Sequence, residues 1–188
     1  MHQHLGSRRS WRRKINDTVL SLSIFDKTEE NISISWIYSR PAHGSSDALH
    51  RPGRTTGDAK ETPEEFLKEV ESLSSLPQPF SEVFDPAKLR KDRILHWLMR
   101  TAEIPSNELV NLAKQDVILL GDAAHAEPIL GGEGANNAIM DAIELADAIA
   151  KGDDLGSWIE SRAAEWAKGV DESRSRIAQM HGAKAANL

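Results

Sequence analysis

Residues 117–150 read VILLGDAAHAEPILGGEGANNAIMDAIELADAIA, and they decide the fold of the region around them. The short, wholly apolar run at 117–120 ends at Gly121 and predicts a central parallel strand that is buried on both faces. After a glycine-rich stretch, apolar residues recur at the spacing of one helical face, and Gly152 ends this predicted helix. The apolar positions are Ile139, Ala142, Ile143, Ala146, Ile149 and Ala150.

A parallel strand that leads through a loop into a helix forms a ligand site at the carboxyl edge of a sheet. Free amides near residues 136–137 offer hydrogen bonds and partial positive charge to an electron-rich group. Gly131, Gly132 and Gly134 let the backbone approach a flat ligand. Asp122 is suited to accept hydrogen bonds from ligand hydroxyls. Because glycines are also common turn residues, the spacing alone leaves a ligand site and a plain turn both open.

Asp122, His125 and Glu127 allow a second interpretation, as metal ligands of a hydrolase, although no other cluster accompanies them. His125 is more often a structural hydrogen-bonding residue. The stretch GGEG lacks the lysine and the hydroxyl residue of a phosphate-binding P-loop, and no serine lies in a nucleophile elbow. We therefore expect no resident metal. No catalytic acid or base can be assigned, since nothing in the spacing brings His43 or His96 to this stretch.

Composition limits the remaining functions. The chain has 188 residues, 39% of them hydrophobic, enough for one ordinary core and part of a second. A net charge of -6 argues against general binding to nucleic acid or to membrane surfaces, because both are polyanionic. With no cysteine and no apolar run long enough to span a bilayer, we expect a cytoplasmic protein. The basic start, MHQHLGSRRSWRRK, leaves mitochondrial targeting as the alternative.

The rest of the chain predicts a hairpin, a loop and more helices. TVLSLSIF (18–25) and NISISWIYSR (31–40) alternate in polarity, and Pro41 ends the second strand. Residues 41–62 read as an exposed loop. Thr62 is suited to cap a helix that runs to about Leu73. Residues 92–103 are compatible with a strand or a short helix, and we expect the strand. A final helix over 155–180 completes the prediction.

The glycine-rich region also carries a longer, ordered pattern. Its residues are Gly121, Asp122, Ala123, Ala124, His125, Pro128, Gly131, Gly134, Asn136, Ala138, Asp141 and Leu145. This pattern resembles the second flavin-binding motif of the FAD-dependent aromatic-ring monooxygenases, the p-hydroxybenzoate hydroxylase-like family, and it is more specific than a lone glycine triplet. The hairpin resembles the substrate-domain sheet of that family, and the C-terminal helix resembles its trailing helix.

The resemblance implies an α/β chain, an α+β fragment that contains part of an FAD/NAD(P)-binding Rossmann-like domain and an antiparallel substrate-domain sheet. On this basis we expect a disordered N-terminus at 1–14, a partial substrate-binding domain at 15–105, and the C-terminal part of an FAD-binding domain at 106–188. The implied activity is hydroxylation of an aromatic or related small molecule, with FAD as cofactor, NADH or NADPH as reductant, and O2.

The resemblance also assigns roles to residues. Asp122 would bind the ribityl and pyrophosphate region of FAD, and Gly121 would let the chain pass close to it. Pro128 would lie near the reacting face of the flavin ring. The backbone that borders the pyrimidine side of the ring would come from Gly131, Gly132, Gly134, Ala135 and Asn136.

The sequence departs from the family in one respect. Complete members begin with a strand, a GxGxxG turn and a helix that hold the pyrophosphate, and this sequence contains no GxGxxG. We therefore expect the C-terminal portion of a monooxygenase, with weak or no activity alone, unpaired strand edges and exposed apolar faces. A missing N-terminal half would be its partner. The alternative is a non-catalytic remnant or partner-binding module.

Overall fold

The structure is a computed structural model that describes residues 10–53, 55, 62–73, 75–96 and 98–182. The chain divides into two compact units, Met1–Leu98 and Met99–Leu188. Helices and one antiparallel sheet make up the described residues, in agreement with an α/β fragment. None of the described helices is both long and apolar enough to cross a bilayer.

The first unit contains a three-stranded antiparallel sheet in the order β1-β2-β3. The predicted hairpin is confirmed, because β2 (Thr18–Lys27) pairs with β3 (Ile32–Ser39). We expected residues 1–14 to be disordered. For residues 10–14 this prediction is wrong, since Ser10–Ile15 form β1 and pair with β2. Asn16 has φ 52° in the tight turn between β1 and β2, a backbone conformation that asparagine tolerates better than most residues. Residues 1–9 lie outside the described residues.

One face of this sheet packs against α1 (Glu64–Ser72). Leu20 and Leu22 of β2 lie in one apolar cluster with Phe66 and Leu67 of α1. The predicted helix is confirmed, but the residue at its N-cap is Pro63 and not Thr62, and the acidic first turn complements the helix dipole. Two short helices, α2 (Phe80–Val83) and α3 (Pro86–Leu89), complete the cluster through Phe80, Phe84 and Leu89.

Arg40, just after β3, ties the following loop to α1. Its guanidinium donates to Asp47 Oδ1 at 2.9 Å and to Glu69 Oε1 at 2.6 Å. The side chains of Arg40 and Asp47 are almost fully buried, so each charge offsets the desolvation of the other. The hydrogen bond from Arg40 holds the pKa of Asp47 well below its usual range. The described loop residues contain no helix or strand, as predicted, but they are anchored at their start.

The strand that we expected over residues 92–103 is wrong except at its end. Only Ala102–Glu103 form a strand, β4, through isolated bridges to Ala126 and His125. Residues 92–96 and 98–101 carry no strand, and residue 97 is not described. A strand forms only where a neighbour offers backbone hydrogen bonds, which the sequence pattern alone does not reveal.

The predicted central strand at 117–120 is also wrong in this structure. These residues form no strand, and Val117 is 43% exposed. The strand described in the second unit, β4, bridges to residues 125–126, and the described residues form no sheet there whose ladder 117–120 could join. Ile118 and Leu119 instead pack partly against the cluster formed by Leu109, Ala124, Ile159 and Trp166.

Helices supply the rest of the second unit. They are α4 (Ser106–Ala113), α5 (Asp122–His125), α6 (Gly134–Lys151) and α7 (Leu155–His181). The predictions of α6 and α7 are confirmed, and Gly152 ends α6 in the left-handed conformation, φ 73°. Apolar periodicity and a terminal glycine were therefore sufficient to predict both helices.

The apolar face of α6 is exposed to solvent. Its residues are all exposed: Ile139, Ala142, Ile143, Ala146, Ile149 and Ala150. The buried residues of the helix are Asp141 and Ala148. This arrangement is opposite to that of an ordinary surface helix, which buries its apolar stripe. The exposed apolar face that we expected is thus present, and we refer to it as the α6 apolar face.

Candidate functional site

Gly121 makes the turn between the apolar residues 117–120 and α5. Its backbone has φ 55° and ψ -139°, a combination that residues with a side chain rarely adopt. A Cβ atom at this position would lie 2.8 Å from Cβ of Ala138 on α6, closer than two carbon atoms can approach. Both the backbone conformation and the packing against α6 therefore require glycine.

The carboxylate of Asp141, on α6, hydrogen-bonds to this turn. Its Oδ2 accepts hydrogen bonds from the backbone N–H of Gly121 at 3.3 Å and from Nε2 of His125 at 2.6 Å. Its Oδ1 accepts from Trp166 Nε1 at 2.8 Å and from Arg162 Nη2 at 2.7 Å. Asp141 is 0% exposed, and four donors surround it, so its buried charge is well satisfied.

Two opposing effects act on the pKa of Asp141. Burial disfavours the charged form and raises the pKa, whereas the hydrogen bonds from Arg162, His125 and Trp166 favour the carboxylate and lower it. The hydrogen bonds prevail, and the pKa of Asp141 lies below its ordinary value. Asp141 is therefore a carboxylate at neutral pH and carries a buried negative charge beneath the Gly121 turn.

Helix α7 contributes the other side of this network. The ring of Trp166 stacks on the ring of His125 with centroids 4.5 Å apart. Arg162 also pairs with Glu144 at 3.0 Å, which links α7 to α6 a second time. His125 is thus buried and makes a structural hydrogen bond through Nε2, as we expected of it, while its Nδ1 has no hydrogen-bond partner among the described residues.

Asp141 belongs to the motif, but the sequence pattern predicted no role for it. A signal was present, because Asp141 shares a helix face with Ala138, Leu145 and Ala148. A charged residue on the face of small and apolar residues that the helix buries indicates a paired carboxylate. The partners, Arg162 and Trp166, lie on a different helix and leave no local pattern.

The glycine segment, residues 128–136, connects α5 to the first turn of α6. Pro128 is buried and precedes a single 3-10 turn at Ile129–Gly131. Gly132 is left-handed at φ 76°, and no atom lies within 4 Å of the position a Cβ would take there. Gly134 opens α6 and lies beside Asp122, since a Cβ on Gly134 would be 3.8 Å from Asp122 Oδ1. The segment thus brings the Asp122 carboxylate next to the start of α6.

Of the predicted site residues, Asp122 lies beside Gly134 at this helix start, whereas Gly121 and Pro128 are buried. Asp122, Ala135 and Asn136 are exposed, and no side chain among the described residues caps the N-terminus of α6. The first amides of the helix have no acceptor inside it and are available to a ligand. Gly132 and Gly134 leave space beside them. The arrangement offers hydrogen-bond donors, a partial positive charge and one carboxylate on an open surface.

The metal-hydrolase interpretation of Asp122, His125 and Glu127 finds no support in the geometry of the described residues. Within the described ranges, no three His, Asp or Glu side chains converge in a way that could hold a metal ion. The Nε2 atom of His125 is bonded to Asp141, and Glu127 Oε1 accepts from Asn137 Nδ2 at 2.6 Å. His125 and Glu127 thus each hydrogen-bond to another side chain.

Comparison with known proteins gives a consistent result. A family model described as FAD binding domain matches residues 54–153. The chain is 38% identical over 130 residues to the FAD-dependent monooxygenase nscC of Trichophyton rubrum, covering 69% of this chain and 31% of that protein. It is 30% identical over 164 residues to the FAD-dependent monooxygenase vrtH of Penicillium aethiopicum, covering 85% of this chain and 40% of that protein.

A third relative is the FAD-dependent monooxygenase aptC of Emericella nidulans, 36% identical over 125 residues, with 66% of this chain and 30% of that protein covered. The chain spans between 30% and 41% of the length of these and similar curated relatives. No solved structure gives a significant match.

Proposed function

Because the chain belongs to the FAD binding domain family, we propose that it supplies the flavin-facing part of an FAD-dependent monooxygenase. In this proposal Gly121, Asp122 and Pro128 border the cofactor together with the backbone of residues 131–136. The observation that carries it is the exposed Asp122 carboxylate beside the uncapped N-terminus of α6. The proposed reaction is hydroxylation of a small, aromatic molecule with NAD(P)H and O2.

The residues at this surface fit such a cofactor. Asp122 has an exposed carboxylate that can accept hydrogen bonds from ribityl hydroxyls. The first amides of α6 can donate to the electron-rich edge of a flavin ring and stabilise negative charge on it. Gly132 and Gly134 leave room for a flat ring to lie against the backbone. When bound, FAD supplies the redox chemistry, while these residues bind it and orient it.

We further propose that a nucleotide-binding half covers this unit, and the α6 apolar face supports this. Exposed Ile139, Ile143 and Ile149 form a continuous apolar stripe, which in water is unfavourable for a helix that has no partner. The apolar residues 117–120 lack strand neighbours among the described residues. A parallel sheet that accepts 117–120 as a strand and packs on α6 would satisfy both. A half that carries the GxGxxG turn, which this sequence lacks, fits that description.

The first experiment is a titration of the purified chain with FAD, read by visible absorbance and flavin fluorescence. It is repeated with a separately expressed half of a relative that carries the GxGxxG turn. We expect weak binding to the chain alone, because the pyrophosphate contacts are worth about 1.5–3 kcal/mol each. Binding should strengthen by orders of magnitude when the second half is present.

Asp122→Ala and Asp147→Ala are the matched variants for this titration. Asp147 is an exposed aspartate on α6, far along the helix from its N-terminus. Loss of flavin in Asp122→Ala and not in Asp147→Ala supports the proposal. If no flavin binds in either arm, the FAD proposal is contradicted, and the non-catalytic, partner-binding alternative is favoured. The α6 apolar face is the specific observation behind that alternative.

A further inference from the structure

Glu127 and Asn137 stand at the two ends of the glycine segment and contact each other directly. Asn137 Nδ2 donates to Glu127 Oε1 at 2.6 Å, and both residues are half-buried. The backbone N–H of Asn137 donates to the carbonyl of Glu133 at 2.9 Å, so Asn137 belongs to the first closed turn of α6. The side-chain contact therefore ties the residue before Pro128 to the start of the helix.

The surroundings of this contact are closely packed. A Cβ on Gly169 of α7 would lie 3.3 Å from Glu127 Oε1, so glycine lets the α7 backbone approach the carboxylate. Glu127 Oε2 is buried, and no described residue hydrogen-bonds to it. A carboxylate kept out of water with one oxygen unpaired is costly, and such a residue commonly serves a specific purpose.

We propose that Glu127 and Asn137 form a clamp that holds the glycine segment in one conformation before any ligand binds. Gly131, Gly132 and Gly134 give this segment unusual backbone freedom, and ordering it on ligand binding would cost conformational entropy. A side-chain tie between its ends closes the loop and removes much of that freedom in advance. Both are positioning residues, because they act through the backbone that they hold.

The clamp adds a positioning role to the proposed function. Its effect on the backbone does not depend on that function, whereas its effect on flavin binding rests on it. Without ligand it predicts slow hydrogen exchange of the Gly132 amide, which donates to the carbonyl of Ile129 at 3.2 Å. With FAD it predicts tighter binding, because less entropy is lost. Exchange and binding are separate measurements, so the clamp and the FAD proposal can fail independently.

The test uses the full chain without flavin and measures hydrogen exchange by mass spectrometry. In Glu127→Ala and in Asn137→Ala, exchange of the Gly132 amide should be about fivefold to tenfold faster, as expected for loss of one hydrogen bond. Glu127→Gln keeps an oxygen that can accept from Asn137 and should stay within about twofold of the parent chain. This rescue separates the hydrogen bond from a general effect of packing.

Asn107→Ala is the control, because Asn107 is an exposed asparagine in the first turn of α4. The double variant Glu127→Ala/Asn137→Ala should exchange no faster than the faster single variant, since the two residues share one contact. Unchanged exchange in both alanine variants overturns the clamp. So does a Glu127→Gln variant that behaves like Glu127→Ala. If Glu127→Ala does not fold, as judged by circular dichroism, Asn137→Ala with Glu127→Gln decides the question.

The FAD titration then measures what the clamp contributes to binding. Glu127→Ala should weaken FAD affinity about tenfold, and Glu127→Gln should restore it. A parent chain that binds no FAD, alone or with its second half, contradicts the proposed function but leaves the exchange result to decide the clamp. Equal FAD affinity in the parent chain and Glu127→Ala contradicts the effect of the clamp on flavin.

Discussion

Asp141 Oδ2 lies 2.6 Å from Nε2 of His125, and both side chains are fully buried although 16 positions separate them in the chain. The same carboxylate accepts from Arg162, Trp166 and the backbone of Gly121. One buried charge therefore joins α5, α6 and α7 beneath the proposed flavin surface. Removing that charge leaves a largely buried arginine without its main partner, a costly arrangement in a protein interior.

Asp141→Asn should destabilise the second unit by about 2–4 kcal/mol, because Arg162 loses its buried partner. The measurement is urea denaturation followed by tryptophan fluorescence. Glu165→Gln is the control, since Glu165 pairs with Arg162 at an exposed position and should cost less than about 1 kcal/mol. Equal stability of the Asp141→Asn variant and the parent chain would contradict this role.

Stability should also depend on pH through Asp141. Its folded-state pKa lies below the ordinary value, so its ionisation stabilises the fold above the unfolded-state pKa of about 4. This stabilisation is lost as the pH falls from there through the folded-state pKa. Thermal melting of the parent chain should therefore drop in acid, and Asp141→Asn should show a shallower drop. An identical acid dependence in both proteins would contradict this assignment.

Gly121→Ala should destabilise the chain by about 2–4 kcal/mol, because it adds both backbone strain and a clash with Ala138. Gly132→Ala is the comparison variant, since Gly132 also has a positive φ but lies in the left-handed region with open space around it, and it should cost about 1 kcal/mol. Adding Ala138→Gly to Gly121→Ala should recover part of the loss. Denaturant melts measure all of these variants. If Gly121→Ala and Gly132→Ala cost the same, the clash with Ala138 has no energetic effect.

Tyr38 provides a pH test in the first unit. Burial and a hydrogen bond from its hydroxyl to Glu69 Oε2, at 2.8 Å, raise the pKa of Tyr38 far above its ordinary value of about 10. Tyr38 is the single tyrosine, so tyrosinate absorbance reports on this residue alone. Little tyrosinate should form near pH 10 while the chain is folded, and Glu69→Gln should make Tyr38 ionise at lower pH. Half ionisation near pH 10 in the folded parent chain would contradict the prediction.

Charged substitutions on the α6 apolar face should leave the stability of the isolated chain nearly unchanged. Ile139→Glu and Ile143→Glu replace exposed side chains, so each should cost less than about 0.5 kcal/mol and should reduce self-association. Ile159→Glu is the contrast, because Ile159 is buried and the change should cost more than about 3 kcal/mol. Denaturation and sedimentation velocity measure these effects. If Ile143→Glu abolishes the increase in FAD affinity that the second half provides, the second half docks on the α6 apolar face.

Elements with local signals were predictable from the sequence. The hairpin of β2 and β3, and the helices α1, α6 and α7, follow from alternation, helical periodicity and terminal glycines. Strand β1 was missed because its basic residues resemble those of a disordered terminus, although Asn16-Asp17 is a good hairpin turn. The chain divides into two compact units after Leu98. The domain boundary that we expected at 105–106 stays a prediction.

Elements that depend on distant partners were not predictable. Residues 117–120 have the composition of a central strand, yet strand pairing needs neighbours that the described second unit lacks. The motif located Gly121, Asp122 and the glycine segment, because their spacing is local. It gave no role to Asp141, whose partners Arg162 and Trp166 are 21 and 25 positions away. The contact of Glu127 with Asn137 was likewise invisible in the pattern.

The outward orientation of Ile139, Ile143 and Ile149 also bears on how much of this chain a cell would contain. Quality-control systems recognise exposed apolar surface and remove proteins that display it. A chain whose α6 apolar face stays uncovered would be degraded as an orphan subunit, and one whose face is covered would persist. Its abundance would then follow the supply of whatever covers that face, and not its own rate of synthesis.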